Sequence, residues 1–441
     1  MNVEVKPMKT AAELALANTF AAVRDRLPGG GPVAALRESA FRSFDAHGLP
    51  HRRIEEWKYT DLRALMREAK PLAAPPDAAA KARAKAAPCP IGDVECRRIV
   101  FVNGAFVPEL SDLGALEKGL TIDSMAAALA KGDPLITQHL GKVVASDDAA
   151  LALNTALMGD GALVHVAAGA VVDRPLHLAF IGPDKAASVF ARSLIVIEKG
   201  ARAMLIESHE GADADYQVNA ALELVVGDEA HVDHVKLIGE GAKALHVSTL
   251  LAAIGAHARF NTFTFTTGGA VVRNQMFIRF DGVETVAGIR GATLLQKRQH
   301  ADTTLVADHV AVGCQSRELF KSVLDGDSRA VFQGKIIVRP GAQKTDAKMM
   351  TQALLLSDRA EADNKPELEI FADDVQCGHG ATVTEIDHNH LFYLMARGID
   401  EKTARGLLVK AFLAEVIEEL DNDEIVEALE GVLDEWFASH G

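Results

Sequence analysis

The sequence predicts a mainly β chain with helices at both ends, and three observations predict it. From 161 to about 385, short β-rich runs are punctuated by glycine at nearly every turn. Within that region Gly200, Gly227 and Gly255 recur at intervals of 27 and 28 residues, each followed three positions later by an alanine, Ala203, Ala230 and Ala258. Before and after it, apolar residues switch to helical spacing. A near-constant interval of this size is what stacked rungs give, because each rung is too small to bury its own inward face and shares one core with its neighbours. A β-sandwich with evenly spaced hairpins gives similar punctuation, so the pattern alone leaves coil and sandwich open.

Along the chain, Leu14, Ala17 and Ala21 make one helical stripe and Leu36, Ala40, Phe41 and Phe44 a second, with LPGGGP at 27–32 between them. Residues 73–88, AAPPDAAAKARAKAAP, hold nine alanines in sixteen and read as a linker or exposed surface segment that builds no core. A strand at 98–102 runs into Asn103-Gly104, a turn signal. Short helices are expected at 124–130 and 149–157, and strands at 162–166, 194–197, 221–226, 230–237, 259–266, 271–280 and 330–338. At the C-terminus a helix from Leu391 stops at Gly398, Asp400 caps a second carrying Leu408, Phe412 and Val416, and a third from Asp423 carries Ile425, Leu429, Val432 and Trp436. The expected organisation is an N-terminal helical region at 1–98, a β core with an α/β lead-in at 99–385 and a C-terminal helical domain at 386–441.

With 46 Lys+Arg against 61 Asp+Glu the 441-residue chain carries a formal charge of −15, which disfavours nucleic acid as a partner. Residues 400–441 hold twelve acidic and three basic side chains, so this segment alone is a solvated helical face or an acidic docking surface. Four cysteines, at 89, 96, 314 and 377, make neither a disulfide framework nor a zinc-ribbon spacing, which suits a reducing compartment. Glu4, Lys6, Lys9 and Glu13 interrupt any secretion signal, and the longest charge-free run, 244–258, is fifteen residues, short of the roughly 20 that span a bilayer. A cytoplasmic, soluble protein with no membrane partner is expected.

No GxxxxGK[ST], strand-to-helix GxGxxG, HExxH or GxSxG occurs, so any ATP chemistry belongs to a partner. Cys377 and His379, at i and i+2, share one face of an extended segment, where a thiolate and an imidazole suit a soft or borderline metal. Gly378 and Gly380 permit close backbone approach. A metal site takes three or four ligands, so the remainder must come from elsewhere in the chain or from a second subunit; a lone pair of this kind is also commonly incidental. Asp373 and Asp374, with Glu367 and Glu369, read as solvated turn carboxylates or as the acid/base pair of a polysaccharide-cleaving coil enzyme. Asp387, His388 and His390 offer a metal cluster or, the simpler reading, a helix cap. The remaining histidines, including His231 and His234 in one strand, show no recognisable ligand spacing, and Cys314 reads as a buried small hydrophobe.

The segment GKIIVRPGAQKTDA at 334–347, ALLLS at 353–357, PELEIFADDVQCGHGAT at 366–382 and LFYLMARGI at 391–399 resemble the SufB/SufD family of iron-sulfur cluster assembly proteins. The DDVxCxHGAT form and EEWKYT at 55–60 look like the SufD branch of that family. The resemblance implies a right-handed parallel β-helix core between N- and C-terminal helical regions, and a non-catalytic scaffold. It further implies pairing with a SufB-like paralogue through the β-helix and binding of a SufC-like ABC ATPase through the C-terminal helices. This chain would then bind no ATP itself. The family's functional histidine falls on His379 and the neighbouring motif cysteine on Cys377, which would hold iron or a nascent iron-sulfur cluster transiently with ligands from the SufB side. A flavin and a homodimer of the isolated chain are left open. Gln343, Lys344, Thr345 and Asp346 suit a turn between rungs.

Overall fold

A computed structural model describes residues 8–440. Its centre is a parallel β-solenoid of about eight turns, flanked by N-terminal and C-terminal helices. Successive strands alternate between a ten-stranded and a nine-stranded sheet, so each turn contributes one strand to each. Pairing is parallel and in register from rung to rung, for example Arg202, His231, Arg259, Val286, Gln315, Asp346 and Gln376 at equivalent positions. The two inner faces share one apolar core that includes Leu178, Leu222, Phe260, Ile289 and Ile336.

Stacking explains the small-residue repeat and corrects its register. The carbonyls of Ala201, Ala230, Ala258, Thr285, Cys314 and Thr345 each accept from the backbone one rung further on, so these six residues stack at one corner, and all are buried. Ala230 and Ala258 belong to this column, whereas Ala203 lies two places past it. The residue before each corner, Gly200, Glu229, His257, Glu284, Gly313 and Lys344, is left-handed with φ between 55° and 76°. Glycine therefore holds the strained position only twice. Gly227 and Gly255 sit at an earlier turn position, where a Cβ would come within 2.7 Å of the backbone of the preceding rung.

Several segments fold where periodicity placed them: the helix Ala149–Leu157 and the strands Ala162–Val166, Arg259–Thr266 and Val271–Phe280. Asn103 and Gly104 are both left-handed, as a two-residue hairpin between Arg97–Val102 and Ala105–Phe106 requires. The segment 73–88 is mostly exposed, as expected, but it is not a plain linker. Asp77 caps a helix, Ala78–Ala86, whose Ala80 and Ala84 are buried against Val100, Val102 and Val107. Alanines at i and i+4 make a smooth stripe that lets a helix lie close on a strand, so alanine richness here marks packing.

The N-terminal helices cover the outside of the nine-stranded sheet, where Leu16, Phe20, Phe44 and Trp57 pack with Phe190, Leu245 and Val247. The EEWKYT segment is the clasp. Trp57 is buried, its Nε1 donates to Asp148 Oδ2 at 2.8 Å, and the Arg273 guanidinium lies 4.5 Å from its ring centroid. Arg273 also donates to the Glu56 carbonyl at 2.7 Å. The C-terminal helices Glu401–Ile417 and Asp423–His440 cover the outside of the ten-stranded sheet, burying Leu413, Val416, Ile425 and Leu429 against Phe263, Phe265, Ala292 and Val323. No helix among the described residues is long and apolar enough to cross a membrane.

Candidate functional site

The last turn of the solenoid has no successor. Strands Glu361–Ile370 and Gln376–Glu385 are the outermost of their sheets, each hydrogen-bonded to a neighbouring strand on one side only. Every earlier rung of the coil proper is sandwiched between two others, so the polar edges of ten-residue strands are exposed here alone at this end. The C-terminal helices pack along the flank, against Val286–Leu295 and Gln315–Leu324.

Cys377 and His379 stand on this edge. Cys377 is in register with Ala347 and His379 with Met349, and both partners are buried in the core. In-register parallel pairing keeps side chains on a common face, so both motif residues point to the inside of the coil on a rung that no further strand covers among the described residues. Cys377 is half-buried against the core and His379 is exposed. Gly378 between them has open space where a Cβ would stand, whereas at Gly380 a Cβ would come 2.7 Å from the Met350 side chain.

Burial pushes the Cys377 thiol above its ordinary value, and the Asp346 and Glu318 carboxyls add to the shift. The thiol is therefore held in its protonated form, opposite to the lowering that cationic neighbours would have produced. Glu318 pairs in register with Met349 and so lies in the same inward column, two rungs below His379. It is buried, neither carboxylate oxygen has a well-formed hydrogen bond, and desolvation raises its carboxyl to about 7, which the Ser316 hydroxyl offsets only in part. Sequence reasoning did not single out Glu318. Its only signal is its distance from His379, two coil turns, which is readable once the register is known.

The other candidates lie in turns, at a helix start or in the corner column. Asp374 lies in the exposed turn between the last two strands: its carboxylate pairs with Lys344, its N–H donates to Gln343 Oε1 at 3.0 Å, and its carbonyl accepts from the Lys344 N–H at 2.6 Å. Gln343 and Lys344 thus staple the last turn to the one below, and Thr345 donates to the Ala342 carbonyl at 2.8 Å within its own turn. Asp373 is exposed beside them. Asp387 caps the helix His388–Met395, accepting from the Asn389 N–H at 2.7 Å, and its carboxyl is lowered chiefly by that bond. His388 and His390 are exposed on the first turn. Asp400 caps Glu401–Ile417 in the same way. Cys314 is fully buried in the corner column.

Comparison with known proteins accords with this architecture. A family described as "SUF system FeS cluster assembly, SufBD core domain" matches residues 180–412, and "SufBD protein N-terminal region" matches residues 26–178. The chain is 31% identical over 384 residues to the iron-sulfur cluster assembly protein SufD of Escherichia coli, covering 85% of this chain and 86% of that one. It is 30% identical to an iron-sulfur cluster assembly SufBD family protein of Synechocystis, with 84% of each chain covered. Its identity to a SufBD family protein of Mycobacterium tuberculosis is 28%, over 91% of this chain and 93% of the relative.

Proposed function

Because this chain belongs to the SufBD family of iron-sulfur cluster assembly proteins, we propose that it is the SufD-type scaffold subunit of the SUF machinery, pairing through its open solenoid end with a SufB-like paralogue. The observation that carries this reading is the uncapped last turn. Two unpaired strand edges invite continuation by a second coil, and Phe371 and Val383, exposed beside them, supply apolar area for it. Stacking a further rung there would enclose Cys377 and His379 between two subunits. One imidazole and one thiol from this side leave a metal's coordination incomplete, so iron or a nascent cluster would be held only while the partner supplies the rest.

A SufC-like ABC ATPase would dock on the C-terminal helices. Phe392 and Tyr393 are exposed on the helix His388–Met395 and Leu407 on the next, apolar side chains open to a partner, while the acidic residues concentrate further on, at 415–435. ATP-driven closure of two such ATPases would strain the paired coils and open the site, releasing its cargo.

Pairing is tested by co-purification with the SufB-like paralogue. The double variant Phe371→Asp/Val383→Asp places charge on the open edge without touching the core and should abolish the complex while the chain stays folded by circular dichroism. Unimpaired pairing would place the interface elsewhere.

A further inference from the structure

Deep inside the coil, far from its open end, lies a second group of ligand-type side chains. His209 in strand Arg202–Glu210, Glu240 just after strand His231–Gly239 and His246 in strand Leu245–Ile254 are all buried, and one ligand atom from each lies within 4.8 Å of the other two. Each imidazole has one nitrogen committed to a carboxylate. His209 Nε2 bonds to Glu207 Oε1, and His246 Nδ1 bonds to Glu240 Oε2 at 2.9 Å. A carboxylate accepts, so these nitrogens donate, and in a neutral ring the other nitrogen carries the lone pair. His246 Nε2 is buried with no hydrogen-bond partner. Glu207 thus orients His209 from outside the trio, while His246 Nδ1 and Glu240 Oε2 stand 2.9 Å apart, a separation that lets one cation take the place of the proton between them.

Charge points the same way. Glu207, which holds His209, is itself paired with Lys236 at 3.5 Å. Among the described residues the ion-pair partner of Glu240 is the His246 ring alone. A buried carboxylate with so little compensation is costly without a cation.

We propose that His209, Glu240 and His246 bind one divalent first-row transition cation of the Fe2+ or Zn2+ class. Two imidazoles and a carboxylate suit such ions and leave positions for water. Ligand distances of about 2.0–2.2 Å would draw the three atoms within roughly 4 Å, so the side chains close slightly on binding. A narrow cavity lined by Gly104, Phe180, Gly182, His209 and Glu240 reaches the site. The set holds no cysteine and is separate from Cys377 and His379, so it stands independently of the pairing interface.

The test uses the full chain carrying Cys377→Ser/His379→Ala, stripped with a chelator and titrated anaerobically with Co2+. One equivalent should bind, with visible d–d absorption and no near-ultraviolet thiolate-to-cobalt band, and Zn2+ should raise the melting temperature. No bound Co2+, or a strong thiolate band pointing to the remaining cysteines, overturns the proposal. His246→Gln should lose the bound equivalent, and Glu240→Gln should weaken it by about tenfold or more. Unchanged affinity in either folded variant equally overturns it; if neither folds, the titration of the background chain decides.

Discussion

His379 stands in register with Met349, yet Met349 is buried and His379 is exposed. The two share one inward face, and the difference between them is a single missing rung. The position of the candidate site therefore follows from the coil's regular geometry, and its exposure from the coil's last turn.

Glu318, two rungs below, makes stability depend on pH. Its folded carboxyl, raised to about 7, lies above its unfolded value near 4.3, so the folded state holds the proton more tightly. Its contribution is fully present below about pH 4 and is lost as pH rises toward 7, amounting to a few kcal/mol at most. Glu318→Gln should accordingly stabilise the chain at pH 8 and lose that advantage toward pH 5, read as urea midpoints at both pH values. A difference independent of pH would mean that Glu318 is ionised in the fold.

Cys377 should alkylate slowly in the isolated chain. Its thiol is raised by burial, so the midpoint of the iodoacetamide rate against pH should lie above that of free cysteine, followed by mass spectrometry of the peptide. A midpoint below the free value would show an activated thiolate.

The Arg192–Glu223 pair pins the lead-in to the coil. Arg192 Nη2 lies 2.6 Å from Glu223 Oε1, both side chains are buried, and Glu223 also accepts from the Gly141 N–H at 2.9 Å. Glu223→Ala leaves a buried guanidinium unpaired and should cost about 3–5 kcal/mol in equilibrium unfolding. A loss below about 1 kcal/mol would indicate that water reaches Arg192.

Trp57→Ala removes the clasp between the N-terminal helices and the nine-stranded sheet. Loss of its buried ring and of the Arg273 contact should cost about 3–5 kcal/mol and expose 8–70 to limited proteolysis before the coil is cut. Simultaneous cleavage of both regions would show that they unfold as one unit.

How far the sequence could be read follows from the physics of each part. Amphipathic helices announce themselves, and Asp387, Asp400 and Gly398 mark their ends by capping chemistry that is local. Strands rich in apolar residues, such as Arg259–Thr266, were legible too. Strands such as His300–His309 and Gln315–Leu324 were not, because both of their faces carry polar residues, some of them buried in hydrogen-bonded pairs such as His309 with Ser316. The repeat was visible in its approximate length, but Gly200 and Gly227 occupy different turn positions, so their spacing misses the true register by two residues. Cys377 and His379, two residues apart on a strand, are a local relationship that the sequence displays, but it was the resemblance to the SufB/SufD family that marked them as a candidate site. His209 and Glu240 were passed over because they are one coil turn apart, a distance that means contact only after the winding is known.

The most direct measurement is the iron-sulfur content of the complex co-expressed anaerobically with the SufB-like and SufC-like partners, for the natural chain and for His379→Ala. The shared-site account predicts that the complex assembles in both cases and that the cluster is lost in the variant. An intact complex with an unchanged cluster would contradict it and leave His379 a structural residue of the last turn.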